Sequence, residues 1–317
     1  MTDLRGGDDP RDSDAQKVAQ LRELIPATGA GIYLDTAYRG PLPAETAAAM
    51  READDWELRV GRAAEGREDD VVQRRWEARA VVAALIGADV DDIALASEPR
   101  LPAGIQLVPH VDPGTGAVVP PRDREGLVAL DATLSAGVVA LDVASLGADL
   151  VFIASDRWLL GPEGTAALWV GPRARSAGIE VHDAPLGRTQ VLGLARSVGW
   201  LEMYVGLDWI YERTAALVRC VREQLASADG VEVVTPPDAL AGVVVFRLPG
   251  WPVSDALDQV RRRVFAIIGT NDSADAIRAS VAWFNTEEEI DRFCAAVADV
   301  ARYTPETLPQ RPTLLVH

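Results

Sequence analysis

Short apolar segments, separated by polar stretches rich in proline and glycine, dominate the middle of the chain. Five of these segments show no alternation of apolar and polar residues, and they lie at residues 93–96, 105–108, 127–130, 150–154 and 166–170. Unalternating runs of this length are typical of strands that are buried on both faces of a mostly parallel sheet. The pattern therefore predicts an α/β layer in this part of the chain.

Apolar residues at helical spacing flank this layer on both sides. Residues 44–59 and 68–86 carry apolar side chains three and four positions apart, and Gly87 provides a C-terminal stop for the second segment. Residues 190–228 predict a long helix. The other predicted elements are helices at residues 15–24, 254–263 and 286–303 and strands at residues 31–35, 231–234, 243–248, 264–268 and 277–283.

Two connections between predicted strands leave no room for a crossover helix. Parallel neighbours are normally joined by a dozen or more residues that include a helix. Residues 97–104 contain two prolines and one glycine, and residues 111–126 contain three prolines and three glycines. The sequence therefore predicts a sheet that has been pruned in two places.

Composition and charge narrow the function classes. A formal net charge of −17 repels nucleic-acid phosphates and anionic lipids, so neither nucleic acid nor a membrane surface is an expected partner. No apolar run is long enough to cross a bilayer. Residues 1–14 are polar and lack the apolar region of a secretion signal, which favours the cytoplasm.

Cysteine and histidine offer no metal site. Cys220 and Cys294 lie far apart, which argues against a disulfide framework and gives no metal-ligand spacing. The three histidines form no H-x-x-H or H-E-x-x-H pattern. We expect no bound metal.

Four stretches carry most of the information about function. In chain order they read Y-L-D-T-A-Y-R-G-P-L-P at residues 33–43, V-A-L-D-A-T-L-S-A-G at residues 128–137, S-D-R-W-L-L-G-P-E-G-T at residues 155–165 and R-A-S-V-A-W-F-N-T-E-E-E-I-D at residues 278–291. Together they resemble the class V aminotransferase and cysteine desulfurase family, in its isopenicillin N epimerase-like branch. The family consists of pyridoxal-phosphate-dependent transferases of fold type I, and the chain resembles a truncated member.

The resemblance implies an architecture and a division into domains. We expect an α/β fold of type I with a pruned, mostly parallel central sheet and a smaller α+β C-terminal domain. Residues 1–30 are expected to form an N-terminal tail and helix, and residues 31–189 a reduced large domain that held the cofactor in the family. Residues 190–304 are expected to form the long helix and the small domain, and residues 305–317 a flexible tail.

The resemblance also assigns roles to individual residues. Asp131 matches the aspartate that pairs with the pyridine nitrogen of the cofactor, and Arg278 matches the arginine that binds the substrate carboxylate. His110 lies where the family places a residue near the cofactor ring, and Ser97 lies in the turn that holds the cofactor phosphate. The alternatives are that Asp131 caps the next turn, that Arg278 forms a structural ion pair and that His110 is a hydrogen-bonded polar residue.

The residue at the position of the Schiff-base lysine departs from the family. Arg157 stands there, and a guanidinium with a pKa above ~12 offers neither a nucleophile for an imine nor a general base. Lys17 is the only lysine in the chain, and it precedes every motif. We therefore expect no cofactor, although pyridoxal phosphate is the family cofactor. Arg157 is expected to pair with Asp131 or Asp156, or to bind an anion together with Arg278.

Glu98 and Pro99 follow Ser97 and place an acid where the family binds phosphate.

Three hypotheses about function follow. In the first, the chain is a degenerate, non-catalytic scaffold or partner, in a homodimer or in a heterodimer with an active paralogue. In the second, it is a cofactor-independent enzyme or anion-binding protein that uses the old pocket for a small anion or amino acid. In the third, it remains a pyridoxal-phosphate-dependent C–S lyase, desulfurase, epimerase or aminotransferase.

Overall fold

Two five-stranded sheets with packed helices organise the chain in a computed structural model. The structure describes residues 10–98, 101, 104–119, 126–180, 182–238, 240–271 and 274–308. The first part of the predicted N-terminal tail, the last part of the predicted C-terminal tail and four prolines of the short connections lie outside the described residues: 1–9, 309–317, Pro99, Pro102, Pro120 and Pro121.

The helices and strands follow the apolar pattern of the sequence. The helices are α1 Pro10–Glu23, α2 Ala44–Val60, α3 Arg67–Ile86, α4 Pro172–Ser176, α5 Arg188–Trp200, α6 Leu207–Ser227, α7 Val253–Val264 and α8 Glu287–Ala301. The strands are β1 Ile32–Leu34, β2 Ile93–Ala96, β3 Gln106–Pro109, β4 Val128–Asp131, β5 Leu150–Ala154, β6 Ala166–Val170, β7 Glu232–Val233, β8 Val243–Arg247, β9 Ala266–Asn271 and β10 Ala276–Ser280. Every predicted strand has a counterpart, whereas the short helix α4 was not predicted.

The first sheet has the strand order β2-β6-β5-β4-β3. The β3–β4 and β4–β5 pairs are parallel, while β6 is antiparallel to both β5 and β2. Four of the five strands therefore run in one direction, which confirms the mostly parallel sheet. All residues of β6 are buried because both faces of the strand are covered.

The pruning of the sheet is visible at its edges. β2 and β3 follow each other in the chain but lie at opposite edges of the sheet. Their short connection crosses one face, where Leu101 and Ile105 pack against the cluster that contains Phe152 and Leu168. Within the described part of this connection there is no helix. A short loop thus covers a sheet face that crossover helices normally cover.

The chain that follows β3 ties the two sheets together. A bridge between Val111 and Val118 closes a turn, and the hydroxyl of Thr235 donates to the carbonyl of Thr115 over 2.6 Å. Gly116 has a φ of +73°, and a Cβ there would lie 2.7 Å from the carbonyl oxygen of Val243. Glycine is required because the turn approaches the second sheet so closely.

The second sheet has the order β1-β9-β10-β8-β7. β1 is parallel to β9, while β10 is antiparallel to both β8 and β9. β1, which we predicted to be the first strand of the large domain, thus belongs to the second sheet. Ile32 and Leu34 are buried in the same core cluster as Ile268. The domain boundary at residue 31 remains a prediction. The first sequence motif nevertheless lies beside the strand that carries Arg278.

Helices cover the two sheets separately. Residues from α6, α7 and α8 share a core cluster with the second sheet, while α2 and α3 both pack against α5 beside the first sheet. The helix predicted at residues 190–228 is interrupted. A π-helical turn at Leu201–Val205 follows α5, and Gly206 with a φ of +92° separates it from α6. A glycine adopts this conformation without the steric penalty that other residues incur.

Candidate functional site

The carboxyl ends of three neighbouring parallel strands bring several predicted site residues to one edge of the first sheet. Asp131 ends β4, His110 follows β3, and Arg157 lies in the loop after β5. In the strand register, Asp131 is aligned with Pro109 on one side and with Phe152 on the other. Ligands of open α/β sheets bind at such an edge.

His110 is a buried, hydrogen-bonded residue. Its Nδ1 lies 2.9 Å from the hydroxyl oxygen of Ser135, and its backbone N–H donates to the carbonyl of Asp131 over 2.9 Å. Burial lowers the pKa of His110 below its ordinary value of 6.5. The imidazole is therefore neutral at physiological pH and is held next to the strand end.

Asp131 makes the turn-capping contact that we gave as the alternative to cofactor binding. Its Oδ1 accepts a hydrogen bond of 2.9 Å from the backbone N–H of Thr133, so the carboxylate caps the turn after β4. A carboxylate with this bond still has lone pairs to accept a second donor. Its pairing with a cofactor nitrogen stays a prediction.

Ser97 lies away from these residues. It is exposed at the end of β2, and the strands β6 and β5 lie between β2 and β4 in the sheet. A phosphate held at Ser97 would be separated from Asp131 by two strand positions. The role of Ser97 in holding a phosphate stays a prediction.

The guanidinium of Arg157 joins the first sequence motif to the third. Its Nη1 donates to the carbonyl oxygen of Ala37 over 3.0 Å and also to that of Tyr38, while Nε lies 3.3 Å from Oδ1 of Asp156. Nearby, the N–H of Gly40 donates to the carbonyl of Asp156 over 2.8 Å. The ion pair with Asp156, one of the two predicted partners, is present.

Arg39 reinforces the same junction. It lies 3.2 Å from Oδ2 of Asp156 and 3.4 Å from Glu163. Burial lowers the pKa of Arg157, the carboxylate of Asp156 opposes this shift, and the positive charge of Arg39 adds to it. The two arginines thus share one carboxylate at the contact between residues 35–40 and the loop after β5.

Arg278 is paired with a residue of the first motif. Its Nη2 lies 3.0 Å from Oδ1 of Asp35, and both side chains are mostly buried. Burial raises the pKa of the Asp35 carboxyl, while the hydrogen bond and charge of Arg278, and then the charges of Arg261 and Arg157, oppose the shift. A ligand carboxylate would have to compete with Asp35 for this guanidinium.

Asp35 is the residue that our sequence reasoning missed. The signal was its place in the Y-L-D motif, but no local pattern connects it to a strand more than 240 residues later. Arg157 and Arg278 are close enough to influence each other electrostatically, yet each has its own carboxylate. Binding of an anion by Arg157 and Arg278 together stays a prediction.

Solved structures with this architecture are cysteine desulfurases and a C–S lyase. A cysteine desulfurase from Thermococcus onnurineus superposes with a TM-score of 0.74 over 90% of this chain and 98% of that protein, at 18% identity. A cysteine desulfurase from Escherichia coli gives a TM-score of 0.70 over 90% and 98%, at 19% identity. These similarities establish the fold, which is fold type I of the pyridoxal-phosphate-dependent transferases.

Sequence comparison finds the same kind of protein. A probable cysteine desulfurase from Xylella fastidiosa is 25% identical over 57% of this chain and 51% of its own length, and isopenicillin N epimerase from Streptomyces clavuligerus is 25% identical over 59% and 58%. In sequence and in fold, the chain is therefore similar to the class V aminotransferase and cysteine desulfurase family. It spans about half the length of the curated relatives that it matches. No family model matches it.

Covalent binding of pyridoxal phosphate, the cofactor of the class V family, depends on which amine lies at the site. An imine requires a free amine, but the guanidinium at position 157 is bound to two carbonyls and one carboxylate. The amine of Lys17 donates to the carbonyl of Val205 over 2.8 Å and lies 4.0 Å from the ring centre of Trp209. The described residues around Arg157 therefore do not fit a covalently bound pyridoxal phosphate.

Neither a cluster of metal ligands nor a membrane-spanning helix is present among the described residues. Among the described residues, no group of three or more His, Cys, Asp or Glu side chains is arranged to hold a metal ion. No helix in the described part of the chain has the length and apolar character that crossing a membrane requires.

Proposed function

We propose that this protein no longer performs pyridoxal chemistry and acts as a scaffold or partner subunit, in a homodimer or in a heterodimer with an active paralogue. One observation carries the proposal: the guanidinium of Arg157 is used as a structural link between two motifs. It holds the backbone of Ala37 and Tyr38 against the loop after β5. A side chain engaged in this way keeps the first and third motifs in contact but offers no amine for the imine that the family forms with its cofactor.

The chain's single lysine gives a sharp test of this proposal. The full-length protein is incubated with pyridoxal phosphate, reduced with borohydride, digested and mapped by mass spectrometry. We expect no pyridoxyl label on residues 128–165 and at most partial labelling of Lys17 or the N-terminal amine. Burial lowers the pKa of Lys17, with Asp14 opposing the shift, but its ammonium is bound to Val205.

The lysine-free variant Lys17→Arg is the matched control, because it leaves only the N-terminal amine to react. An active cysteine desulfurase serves as the positive control. Stoichiometric labelling of Lys17 that the variant abolishes, accompanied by release of sulfide from cysteine, would contradict the proposal. It would favour the third hypothesis, a pyridoxal-phosphate-dependent C–S lyase or desulfurase, which the names of the relatives support.

Exposed apolar side chains support a role in association. Nine large ones are exposed among the described residues, and six of them lie on α2, α3 and the π-helical turn: Leu58, Val60, Val72, Trp76, Met203 and Tyr204. Exposed apolar surface concentrated in one layer of helices is typical of a protein interface. We place the contact with the second subunit on this layer.

Replacing Trp76 with glutamate should weaken self-association about tenfold or more, because aromatic side chains dominate the energy of such contacts. The control is Phe265→Glu, since Phe265 is also exposed but follows α7, beside the second sheet. Light scattering coupled to size exclusion measures both variants. Equal effects of the two variants would contradict this assignment, and so would a wild-type protein that stays monomeric alone and when mixed with an active relative.

A further inference from the structure

The two cysteines of the chain lie on neighbouring helices. Cys220 is on α6 and Cys294 is on α8, and both are free thiols. The two helices pack against each other beside the second sheet, and Cys220 packs against the core cluster that contains Cys294. Their wide separation in the sequence argues against a disulfide framework, but the tertiary fold brings their helices together.

Contacts at both ends of the helix pair fix its register. Near the start of α8, Nη1 of Arg213 lies 3.0 Å from Oε1 of Glu287. At the other end, a Cβ on Gly230 would lie 2.7 Å from the carbonyl oxygen of Ala301, the last residue of α8. α6 and α8 therefore run in the same direction. Arg213 and Glu287 are 74 positions apart in the sequence, and the two cysteines have the same separation, which places them at one level of the pair.

The side chain of Gln224 supports this placement. Its amide nitrogen donates to Sγ of Cys220 over 3.2 Å and to Oδ1 of Asp291 over 2.7 Å. Asp291 lies three positions before Cys294, on the same face of α8. Burial, followed by the charges of Cys220 and Asp291, raises the pKa of the Cys294 thiol to about 12. The sulfur of Cys220 is therefore close enough to act on Cys294 electrostatically.

We propose that Cys220 and Cys294 are a site of reversible oxidation, at which a small-molecule disulfide joins them in an intramolecular disulfide. Cys220 is the more exposed thiol, so its sulfur attacks glutathione disulfide first, which releases one glutathione and leaves a mixed disulfide. The sulfur of Cys294 then attacks the Cys220 sulfur and releases the second glutathione. Two electrons and two protons leave the cysteines and convert glutathione disulfide into two molecules of glutathione.

The proposed site is separate from the former cofactor pocket and from the proposed contact between subunits. The former pocket lies at the carboxyl ends of β3, β4 and β5, and the proposed contact lies on α2, α3 and the π-helical turn. A disulfide between α6 and α8 would close a loop that contains α7 and the strands β7 to β10. A covalent link across a long loop restricts the unfolded chain and thereby stabilises the fold.

Peptide mapping of the oxidised protein tests the pair directly. Reduced full-length protein is incubated with glutathione disulfide, its remaining thiols are blocked with N-ethylmaleimide, and it is digested with trypsin without reduction. Trypsin places the two cysteines in the fragments 220–222 and 293–302. We expect these fragments to be linked to each other in a protein that runs as a monomer on a denaturing gel. Cysteines that stay free, stay bound to glutathione or link two chains would overturn the proposal.

Two variants separate the roles of the cysteines. Cys294→Ala removes the second thiol, so Cys220 should form a mixed disulfide with glutathione that accumulates. Cys220→Ser leaves only the buried thiol, which should react with glutathione disulfide at least about tenfold more slowly than Cys220 does in the Cys294→Ala variant. Equal rates in the two variants would overturn the assignment of Cys220 as the first thiol to react.

Thermal unfolding shows whether the disulfide fits the native packing of the helices. Oxidation of the wild type should raise Tm by roughly 4–8 °C, because the link restricts the unfolded chain. The same oxidant should leave the Tm of the matched control, Cys220→Ser, unchanged. An oxidised wild type that unfolds at or below the Tm of the reduced protein would overturn the proposal, because a disulfide that distorts α6 and α8 does not belong to their native arrangement.

Discussion

Replacing Arg157 with leucine is expected to lower the free energy of unfolding by about 3 kcal/mol. The guanidinium is mostly buried, donates to the carbonyls of Ala37 and Tyr38 and pairs with Asp156. Leucine fills part of the volume but leaves the carbonyl of Ala37 without its donor, and the carbonyl of Tyr38 and the carboxylate of Asp156 keep Arg39 alone. Urea unfolding followed by circular dichroism measures the loss as a shift of the midpoint at unchanged slope.

Two further substitutions make this measurement specific. Arg157→Lys keeps the charge but loses the planar fork, so we expect a loss of roughly half that size. Arg173→Leu removes another arginine that pairs with an aspartate, Asp149 at 3.3 Å, but the arginine side chain is 70% exposed. Asp149 is buried but keeps its hydrogen bond from the N–H of Val128, and the guanidinium that is removed is solvated, so we expect a loss of about 1 kcal/mol or less. An Arg157→Leu protein as stable as Arg173→Leu would remove the structural role that we assign to Arg157.

Replacing Gly40 with alanine is expected to destabilise the protein by about 3 kcal/mol or more. A Cβ at this position would lie 2.0 Å from the carbonyl oxygen of Arg157 and 2.7 Å from Cδ2 of Leu160. The first of these atoms belongs to the backbone, so relief requires residues 35–43 to move away from the loop after β5. That movement would also break the hydrogen bond from the N–H of Gly40 to Asp156.

Gly29→Ala is the matched control, because a Cβ there meets no atom within 4 Å. Its effect should be neutral or stabilising by up to about 1 kcal/mol, through the lower entropy of the unfolded chain. The double variant of Gly40→Ala and Arg157→Leu should lose less stability than the two losses added together, because both changes disrupt one junction. Additive losses would show that the two residues support different contacts.

Both experiments concern the same conclusion about the former cofactor loop. In the class V family that this chain resembles, the position that matches Arg157 holds a lysine, and its amine must be free to react. Here the arginine holds the first and third motifs together through backbone carbonyls. Selection for that junction would preserve the first and third motifs in a chain that we propose to be non-catalytic.

The positions of the strands could be predicted from the sequence, most directly for β2, β5 and β6, because burial on both faces leaves an unalternating apolar run of four or five residues. The loss of imine chemistry at position 157 could also be predicted from the sequence, because a guanidinium cannot form an imine in any fold. The two pruned connections were visible as prolines and glycines where a crossover helix needs room. Each of these properties depends on a few neighbouring residues.

The partners of the site residues were decided by the tertiary structure alone. β1 joined the second sheet and brought Asp35 to Arg278. The acceptors of Arg157 are backbone carbonyls about 120 residues away, and every residue has a carbonyl, so no sequence pattern marks them. Apolar periodicity indicates which face of a segment is buried. Contacts between segments that are distant in the sequence depend on the tertiary fold of the whole chain.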